Sequence, residues 1–484
     1  MKVICCVLAA TVLHAQAISE WAFGGPDHRL HYRTDRRGNG IMDFSSAGYR
    51  GGGVKLPAVI ASERLTAATG DNTARIQSAL DTATGAVVLA PGEYEIAGTL
   101  SITRSGVVLR GEKGASIRLT GKPHGFLEIR GTGTWHEEGP RVPILDTYVP
   151  AGANEFRIRD ASAFHSGDRV LVLDQITSQW IRFMGMNMPA RDGQPPLGLH
   201  SGGVIRTDRV VESVEGDRVT LDVPLSGALD SQFTAASLVR CSFPGRITGA
   251  GVEGLRIVAA FEDIPVSGSQ RTTVRMDAAE DTWARDLEMQ DTQNAFEIGP
   301  AAKRVTLANV RITHSTAHLS SAAAIDFTLQ GTQILLDRCT VTGESAGPVV
   351  TQTAAIGPLV VLNFTAEHGG VAPHQPWATG LLVDGGRFPG GTENRPGVAF
   401  AAGSGHEWNI GWAVAWNVVS PFLLVQQPPG ALNWCIGCIG TPVSIAPTPN
   451  GIFDSRGTMV APTSLYLHQL QDRLGPDAVR SIGY

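Results

Sequence analysis

Two histidines in the C-terminal part of the chain have the residue type and the setting that proton transfer requires. His374 lies in APHQPW and His406 lies in GSGHEW, and each precedes a tryptophan by two or three residues. Proline and glycine neighbours indicate turns, so both imidazoles are expected at the edge of a folded unit, where a ligand could reach them. The alternative is a pair of turn histidines that bond to neighbouring backbone.

Four further side chains are candidates for the same site. Arg395, in ENRPG, lies between the two histidines in sequence, and a guanidinium binds a carboxylate through two hydrogen bonds. Lys303 is the only lysine in the C-terminal half of the chain and is a candidate base. His314, in ITHSTAH, is a candidate polar group, and Arg338, in LLDRC, is predicted either to contact a ligand or to pair with the aspartate beside it. A solvated lysine and a satisfied turn histidine are the alternatives.

Tryptophans are concentrated in AAGSGHEWNIGWAVAWN, residues 401 to 417. On a strand, Trp412 and Trp416 share one face, while Ala413 and Ala415 fill the opposite, inward face. Indoles that face solvent in this way pack against the flat C–H faces of sugar rings; the alternative is that long loops bury them. The predicted ligand-contacting set comprises Trp377, Trp408, Trp412, Trp416, Asn417, Gln427, Trp434 and Arg338.

The elements that must position these residues are short and repeated. Between residues 82 and 121, apolar clusters of three or four residues recur about every ten residues and end at Gly, Pro or Ser-Gly. From residue 251 to residue 444, similar clusters return roughly every 21 to 32 residues, the length of one coil of short strands with variable turns. This pattern predicts an all-β fold, a right-handed parallel β-helix, and not the longer four-stranded blades of a propeller.

Two segments differ from the repeat. GDNTARIQSALDTA, residues 70 to 83, predicts an amphipathic helix that caps the N-terminal end of the β-helix. Residues 123 to 246 alternate apolar and polar side chains around a long loop rich in Gly, Pro and Met, which predicts an inserted antiparallel β subdomain. The predicted boundaries are a signal peptide at 1–17, an N-terminal segment with the capping helix and first coils at 18–122, the insert at 123–246, the main β-helix at 247–446 and a C-terminal tail or cap at 447–484.

Composition limits the classes of partner. The net charge of −6 is spread without a basic stripe, which argues against nucleic acid. The apolar run that ends at Ala15-Gln16-Ala17 predicts a signal peptide, hence a secreted or periplasmic protein, and no later run reaches the ~20 apolar residues of a membrane span. Four cysteines outside the leader are too few for a disulfide framework, and Cys435 and Cys438 are predicted to face inward.

Several longer motifs carry a resemblance to a known group. They are DRRGNGIMDFSSAGYRGGGVKLP (35–57), DNTARIQSALD, GTQILLDRC (331–339), APHQPWATGLLVDG (372–385), GSGHEWNIGWAVAWN (403–417) and VQQPPGALNWCIG (425–437). The chain resembles the pectate-lyase-like superfamily of secreted parallel β-helix proteins and, within it, a bacterial polysaccharide-lyase-like group. It departs from that pattern at Pro376, where an arginine is expected, and at Glu407, where a glycine is usual.

The resemblance implies a monomeric polysaccharide lyase that cleaves a uronate polymer by β-elimination. This reaction needs a cation to neutralise the C6 carboxylate, a base for the C5 proton and an acid for the departing oxygen. His374, His406 and Arg395 are the leading candidates for these roles. Calcium is an open alternative, with candidate ligands Asp326, Asp384 and Glu297. Two other functions stay open: hydrolysis by a carboxylate pair such as Asp326 and Asp384, and glycan binding without catalysis, which the proline at position 376 favours.

Overall fold

Stacked coils of parallel strands form the body of the molecule. The computed structural model describes residues 16–186, 199–260, 271–315, 324–343, 347–403 and 407–484. Within these ranges, neighbouring coils pair in parallel and in register, as between Ala279–Gln290 and Lys303–Thr313. The predicted all-β parallel β-helix is therefore confirmed. No helix in the described ranges has the length and apolar character needed to cross a membrane.

Each coil contributes strands to two sheets, here called the short sheet and the long sheet. The main strands of the short sheet are Leu100–Ile102, Leu127–Arg130, Thr272–Asp277, Asn294–Ile298, Ile325–Leu329 and Gly347–Thr351. The long sheet bends along its length and comprises Ala61–Leu65, Ala86–Leu89, Gly92–Ile96, Val108–Gly111, Ala115–Leu119, Ile247–Thr248, Gly251–Glu253, Arg256–Val258, Ala279–Gln290, Lys303–Thr313, Thr332–Asp337, Thr340–Thr342, Ile356–Leu362, Thr365–Ala366, Ala378–Asp384, Ile410–Gly411, Val414–Trp416, Trp434–Ile436 and Ile452–Asp454. A further parallel sheet continues the C-terminal coils with Val398–Phe400, Val419–Val425 and Ile439–Val443.

The bend of the long sheet is made by one residue per coil in the left-handed conformation. Asn309, Asn363 and Asn417 take this position with φ of 53°, 49° and 52°. Asparagine tolerates positive φ better than most residues, because its side chain bonds locally. The sequence positions after each apolar cluster therefore determine where the sheet turns.

Side chains that alternate along the strands fill the inside of the coils. Ala413 and Ala415 lie in this inner core, together with Cys435 and Cys438, which confirms the predicted inward direction of all four. The helix Thr73–Thr82 places Ile76 against the same core, so the predicted capping helix is confirmed as well.

The insert is an antiparallel sheet, as predicted. Its strands are His136–Pro143, Glu155–Arg157, Arg169–Gln175, Val204–Glu215, Arg218–Leu221 and Ala236–Ser242. A short pair, Tyr148–Val149 with Leu229–Asp230, and the helix Ser178–Phe183 complete it. The predicted start at residue 123 needs correction, because Leu127–Arg130 pairs with strands of the short sheet and so belongs to the β-helix.

The two ends of the chain cover the outer side of the long sheet. Near the N-terminus lie Ala17–Ile18, Ala22–Gly24, Leu30–Tyr32 and the 3-10 turn Tyr49–Gly51, and near the C-terminus lie Val460–Ala461 and the helices Leu465–Leu474 and Pro476–Ser481. Phe44 N donates to Gln469 Oε1 at 2.9 Å, and the Tyr466 hydroxyl donates to Ala47 O at 3.0 Å. The segment 447–484 therefore continues the coils through Ile452–Asp454 and then packs on the side of the β-helix.

Asp384 anchors the C-terminal helix from within the long sheet, and its carboxyl is fully buried. Oδ2 accepts hydrogen bonds from Ser464 Oγ at 2.7 Å and from Tyr466 N at 2.8 Å. Within the described ranges, Oδ1 is buried without a hydrogen-bond partner. Burial raises the pKa of Asp384 from 3.8 to about 7.

Replacement of Asp384 by asparagine is expected to flatten the pH dependence of stability. Because the folded-state pKa of Asp384 is raised, its favourable contribution to the free energy of unfolding is complete below pH 3.8. This contribution declines as the pH rises towards 7. The free energy of unfolding should fall by up to about 4 kcal/mol across that window in the wild type and by less in Asp384→Asn. Urea unfolding at several pH values measures this slope. Asp477→Asn, on an exposed carboxylate, is the control, and equal slopes in wild type and Asp384→Asn would contradict the assignment.

Candidate functional site

A cleft, here called the insert cleft, opens where the insert packs against the β-helix. Its empty volume is about 850 Å³, including the part open to solvent. The helix after the strand Arg169–Gln175 and the segment 225–234 form one wall, and turns of the long sheet together with residues 429–431 form the other. Its aromatic lining residues are Tyr148, Trp180, Phe183, Phe233, Trp377 and Trp412.

The aromatic residues of the insert cleft pair with one another. The rings of Trp180 and Trp377 meet edge to face with centroids 6.3 Å apart, which joins the insert to the β-helix. Phe183 stacks on Phe233 at 4.3 Å. Faces and edges of such rings present flat apolar surface beside polar groups, a lining typical of ligand clefts.

Asp174 lies in this cleft at the end of an insert strand. Its Oδ1 is buried and has no hydrogen-bond partner among the residues that the structure describes. Burial raises the pKa of Asp174 from 3.8 to about 6, and the hydroxyl of Thr234 only partly offsets that effect. An unpaired buried oxygen costs about 1–3 kcal/mol, and a carboxyl with a pKa near neutral suits proton transfer.

Arg37 is the basic side chain of the cleft lining. Its Nη2 lies 2.7 Å from Asp230 Oδ2, and its guanidinium lies 3.6 Å from the centroid of the Tyr148 ring. The Tyr148 hydroxyl donates to Asn39 Oδ1 at 2.7 Å, so the platform beneath Arg37 is held by the N-terminal segment. The guanidinium remains half exposed. Its partner Asp230 is the second carboxylate, after Asp174, in the lining of the insert cleft.

A buried ion-pair network fixes the insert on the β-helix and accounts for Lys303. Lys303 is 1% exposed, and its Nζ lies 2.7 Å from Asp208 Oδ1. Arg246 lies 2.9 Å from the other oxygen of Asp208. Burial alone would raise the pKa of Asp208, but these two cations hold it well below its usual range. The predicted candidate base is thus placed in the docking interface and away from the lining of the insert cleft.

Arg209 reinforces this interface without a carboxylate in contact. It is fully buried, and its donors reach the carbonyl oxygens of Val223 at 3.1 Å, Pro224 at 3.1 Å and Gly357 at 2.8 Å. Burial lowers the pKa of Arg209 to about 10. The guanidinium thereby connects the chain segment that leads into the cleft wall to the strand Ile356–Leu362 of the long sheet.

The predicted proton-transfer residues take separate places. His374 is exposed on a turn, and its backbone N donates to Thr351 O at 3.3 Å. Arg395 is exposed in a turn where its N donates to Thr392 O at 3.1 Å. His406 lies outside the described residues. Neither His374 nor Arg395 lines the insert cleft.

His314 is buried in an ion pair. Its Nε2 lies 2.8 Å from Asp326 Oδ1, and both side chains are almost fully shielded from solvent. Burial disfavours the charged ring, but the hydrogen bond with Asp326 outweighs that effect and raises the pKa of His314. The pair therefore sits within a turn region of the β-helix, with no open surface of its own.

The tryptophans were expected on a solvent-facing surface, and the structure corrects that expectation. Trp412 and Trp416 do point outward, opposite the alanines, yet they are 5% and 0% exposed. The chain ends cover Trp416, whose Nε1 donates to Pro462 O at 2.9 Å, and Trp434, whose ring meets Trp21 at 5.6 Å. Trp412 packs beside Trp434, with ring centroids 6.2 Å apart. Trp408 is likewise buried. Of the predicted indoles, Trp377 and Trp412 reach the insert cleft.

The other predicted ligand-contacting residues form hydrogen bonds with backbone groups of neighbouring segments. Asn417 accepts from Val460 N at 2.8 Å and is buried under the C-terminal segment. Arg338 donates to Gly483 O at 3.2 Å, and the N of Gln427 donates to Pro449 O at 2.9 Å. None of the three lines the insert cleft.

The three calcium candidates do not converge. Asp326 pairs with His314, Asp384 receives the C-terminal helix, and Glu297 accepts from Thr272 Oγ1 at 3.0 Å. Within the described ranges, no group of three or more His, Cys, Asp or Glu side chains is arranged to hold a metal ion. Asp326 and Asp384 were also considered as a carboxylate pair for hydrolysis, but each is engaged by a different part of the structure.

Sequence reasoning missed Asp174, Asp230 and Arg37. Arg37 belongs to DRRGNG, one of the motifs that carried the resemblance, so its position was marked but its role was not. Trp180 lies in the helix Ser178–Phe183, and its ring contacts Trp377 of the β-helix. In the sequence, Asp174 resembles an ordinary polar residue at the end of a strand. Its burial arises from packing between distant segments, which no local pattern shows.

Comparison with known proteins gives only distant similarities. No family model matches the chain, and no curated protein matches it. Solved structures that resemble it include a tailspike protein of E. coli bacteriophage HK620 in complex with a hexasaccharide (TM-score 0.40, 10% identity, 90% of this chain and 68% of that chain). Others are an alginate lyase from Paenibacillus sp. (TM-score 0.34, 9% identity, 83% and 100%) and PfbA, a surface adhesin of Streptococcus pneumoniae (TM-score 0.35, 11% identity, 78% and 76%). Its own strand pairing makes the chain a parallel β-helix protein with an inserted antiparallel subdomain.

Proposed function

We propose that this protein cleaves an acidic polysaccharide and that the insert cleft is the site where the sugar chain binds and reacts. The observation that carries the proposal is the buried, unpaired carboxyl oxygen of Asp174 inside an aromatic cleft. Aromatic rings stack on sugars, and a carboxyl with a pKa of about 6 exchanges protons efficiently near neutral pH. The Asp174 carboxyl lies on the wall that the insert forms, and aromatic rings lie on both walls of the cleft.

The favoured reaction is β-elimination. Arg37 would bind the C6 carboxylate of a uronate and so make the C5 proton more acidic. The ionised form of Asp174 would take that proton, a C4–C5 double bond would form as the bond from C4 to the glycosidic oxygen breaks, and the same carboxyl would return the proton to the departing oxygen. Proton and electron balance close without a metal or a co-reactant.

Hydrolysis is the second candidate, because the cleft holds another carboxylate. Asp230 is ion-paired with Arg37, whereas Asp174 has no cation among its neighbours in the described part of the chain, so the two groups have different environments. Such a pair divides the acid and base roles in glycoside hydrolysis. In that case Asp174 would act as the acid and Asp230 would activate water.

Incubation of the purified protein with polygalacturonate, alginate and glucuronan separates these reactions. Elimination predicts that ultraviolet absorbance of the new double bond and new reducing ends rise together. Reducing ends without that absorbance would replace elimination by hydrolysis. Binding of a polymer with neither product would show a glycan-binding protein without catalysis and would overturn the proposal.

A further inference from the structure

Tyr148 differs from the other aromatic residues of the insert cleft, because a cation covers one face of its ring. The guanidinium carbon of Arg37 lies 3.6 Å from the ring centroid, and only an approach over the face allows so short a distance. An approach along the ring plane would overlap the ring atoms. A sugar ring therefore has no access to this face of Tyr148.

A buried amide fixes the Tyr148 ring in place. Asn39 is 2% exposed, and its Oδ1 accepts hydrogen bonds from the Tyr148 hydroxyl at 2.7 Å and from Ala151 N at 3.0 Å. Its Nδ2 donates to Asp35 Oδ2 at 2.8 Å. Because both lone pairs of the Asn39 amide oxygen are used, the ring cannot swing away without breaking a hydrogen bond to a buried group.

The turn that carries Arg37 is held by the same aspartate. Asp35 Oδ1 accepts hydrogen bonds from Arg37 N at 2.8 Å and from Asn39 N at 2.9 Å. Between these two residues, Gly38 has a φ of 85°, a left-handed value that glycine adopts at little cost. Residues 35–39 therefore fix, as one unit, the backbone of Arg37 and the amide that anchors the Tyr148 ring.

Asp230 sets the remaining direction of the guanidinium. Its Oδ2 lies 2.7 Å from Arg37 Nη2, and its Oδ1 accepts a hydrogen bond from Gln232 N at 3.0 Å. Among the described residues, Asp230 is the hydrogen-bond partner of this guanidinium, which leaves N–H groups on Nε and Nη1 open to a ligand. A planar carboxylate is the group that such donors bind best.

One turn of the insert brings Arg37 and Asp174 to the same side of the cleft. The carbonyl oxygen of Asp230 accepts a hydrogen bond from Thr234 N at 3.1 Å. In a helix-like turn of this kind, side chains four residues apart have Cβ atoms about 5–6 Å apart. Asp230 holds Arg37, and the Thr234 hydroxyl lies beside the Asp174 carboxyl. In a uronate the carboxylate carbon is bonded to C5, so this short spacing suits a carboxylate at Arg37 and the C5 hydrogen at Asp174.

We infer that Tyr148 is a positioning residue, which holds Arg37 ready for the carboxylate of a sugar unit and so makes the insert cleft selective for uronates over neutral sugars. The selectivity rests on the proposed function, whereas the ordering of Arg37 rests on the contacts of Tyr148, Asn39 and Asp230 alone. A long side chain that is already ordered loses less conformational entropy when a ligand binds to it.

Chemical labelling of the ligand-free protein tests the ordering of Arg37. Phenylglyoxal reacts with guanidinium groups, and mass spectrometry of the peptides gives the rate at each arginine. Arg37 should react roughly threefold faster in Tyr148→Leu than in the wild type, because the ring no longer covers it. Arg36, an exposed neighbour outside the cleft lining, should react at the same rate in both proteins. Equal rates at Arg37 would overturn the positioning role.

Calorimetry with matched ligands tests the selectivity. Hexamers of galacturonate and of mannuronate are each compared with the same hexamer after reduction of its carboxyl groups to alcohols, all in the Asp174→Asn background. Tyr148→Leu should lower the preference for the acid by roughly fivefold and leave the affinity for the reduced hexamer unchanged. Tyr148→Phe keeps the ring and loses the hydrogen bond to Asn39, so it should lose less. Arg37→Gln should remove the preference, and Arg36→Gln, with the same loss of charge one residue away, is the control that should retain it.

The outcomes keep the two proposals apart. A preference for the acid that Tyr148→Leu retains in full would overturn the inference and leave the proposed function in place. Equal binding of the acid and the reduced hexamers, together with faster labelling of Arg37 in Tyr148→Leu, would overturn the proposed function and leave the ordering of Arg37 in place. If Tyr148→Leu does not fold, Tyr148→Phe takes its place, and a wild-type labelling rate and preference in that variant would overturn the inference.

Discussion

Asp174→Asn is expected to lower kcat by roughly 10²–10⁴ while the fold remains intact, because asparagine keeps the shape of the side chain and loses proton transfer. The comparison of kcat and KM on the substrate that the wild type cleaves gives the test. KM should change little, since the aromatic lining is untouched. Asp217→Asn, on an exposed carboxylate in a turn of the same insert, is the control and should retain full activity.

The pH profile identifies which protonation state of Asp174 acts. If Asp174 is the base, kcat/KM rises as the pH passes through about 6 and the ionised form accumulates. If it is the acid of a hydrolysis, kcat/KM falls over the same range. In either case, Asp174→Asn should lose this change of kcat/KM with pH. A variant with the wild-type pH profile would show that Asp174 takes no part in proton transfer.

Stability provides an independent readout for the same variant. The folded-state pKa of Asp174 is raised from 3.8 to about 6, so its contribution to stability declines as the pH rises between those values. Asp174→Asn removes this penalty and should be more stable than the wild type above pH 6, by up to about 3 kcal/mol. Lower activity with higher stability is the result expected of a residue retained for chemistry.

Arg209→Ala is expected to produce the largest loss of stability, about 3–5 kcal/mol in the free energy of unfolding. Removal of the guanidinium takes the donor from the carbonyl oxygens of Val223 and Pro224 and leaves Gly357 O with only the Thr332 hydroxyl, at 3.2 Å. Urea unfolding measures the loss. Because the adjacent residues Leu225 and Ile356 line the insert cleft, activity should fall as well, even though Arg209 does not line it.

Arg141→Ala is the matched control for this prediction. Arg141 lies on the surface of the same insert and pairs with Glu137 at 2.7 Å, and exposed pairs of this kind contribute about 1 kcal/mol or less. If Arg209→Ala loses no more stability than Arg141→Ala, the carbonyl network does not hold the insert on the β-helix.

The proton-transfer roles of His374, His406 and Arg395 stay predictions. His374 and Arg395 are exposed on turns of the same β-helix, so a ligand could reach them, but the described structure does not bring them to the insert cleft. Unchanged kinetics in His374→Ala would be consistent with catalysis by Asp174.

The coil architecture was predictable because its causes are local. Apolar clusters closed by turn residues specify short stacked strands, and the alternation Trp412, Ala413, Val414, Ala415, Trp416 specifies which side chains face inward. The helix Thr73–Thr82 and the antiparallel insert follow from equally local periodicities. In each case the spacing of apolar residues in the sequence matches the structural repeat of the element that they form.

The sequence by itself determined the β-helix, its capping helix, its insert and the outward direction of the indoles. Only the tertiary structure decided what lies against those outward faces, because chain ends more than 400 residues apart meet there, as between Phe44 and Gln469. The same holds for the candidate site: Asp174, Arg37 and Trp377 come from three distant segments, and burial of the Asp174 carboxyl depends on how the insert docks. Burial and pKa are properties of packing between segments, so no local pattern encodes them.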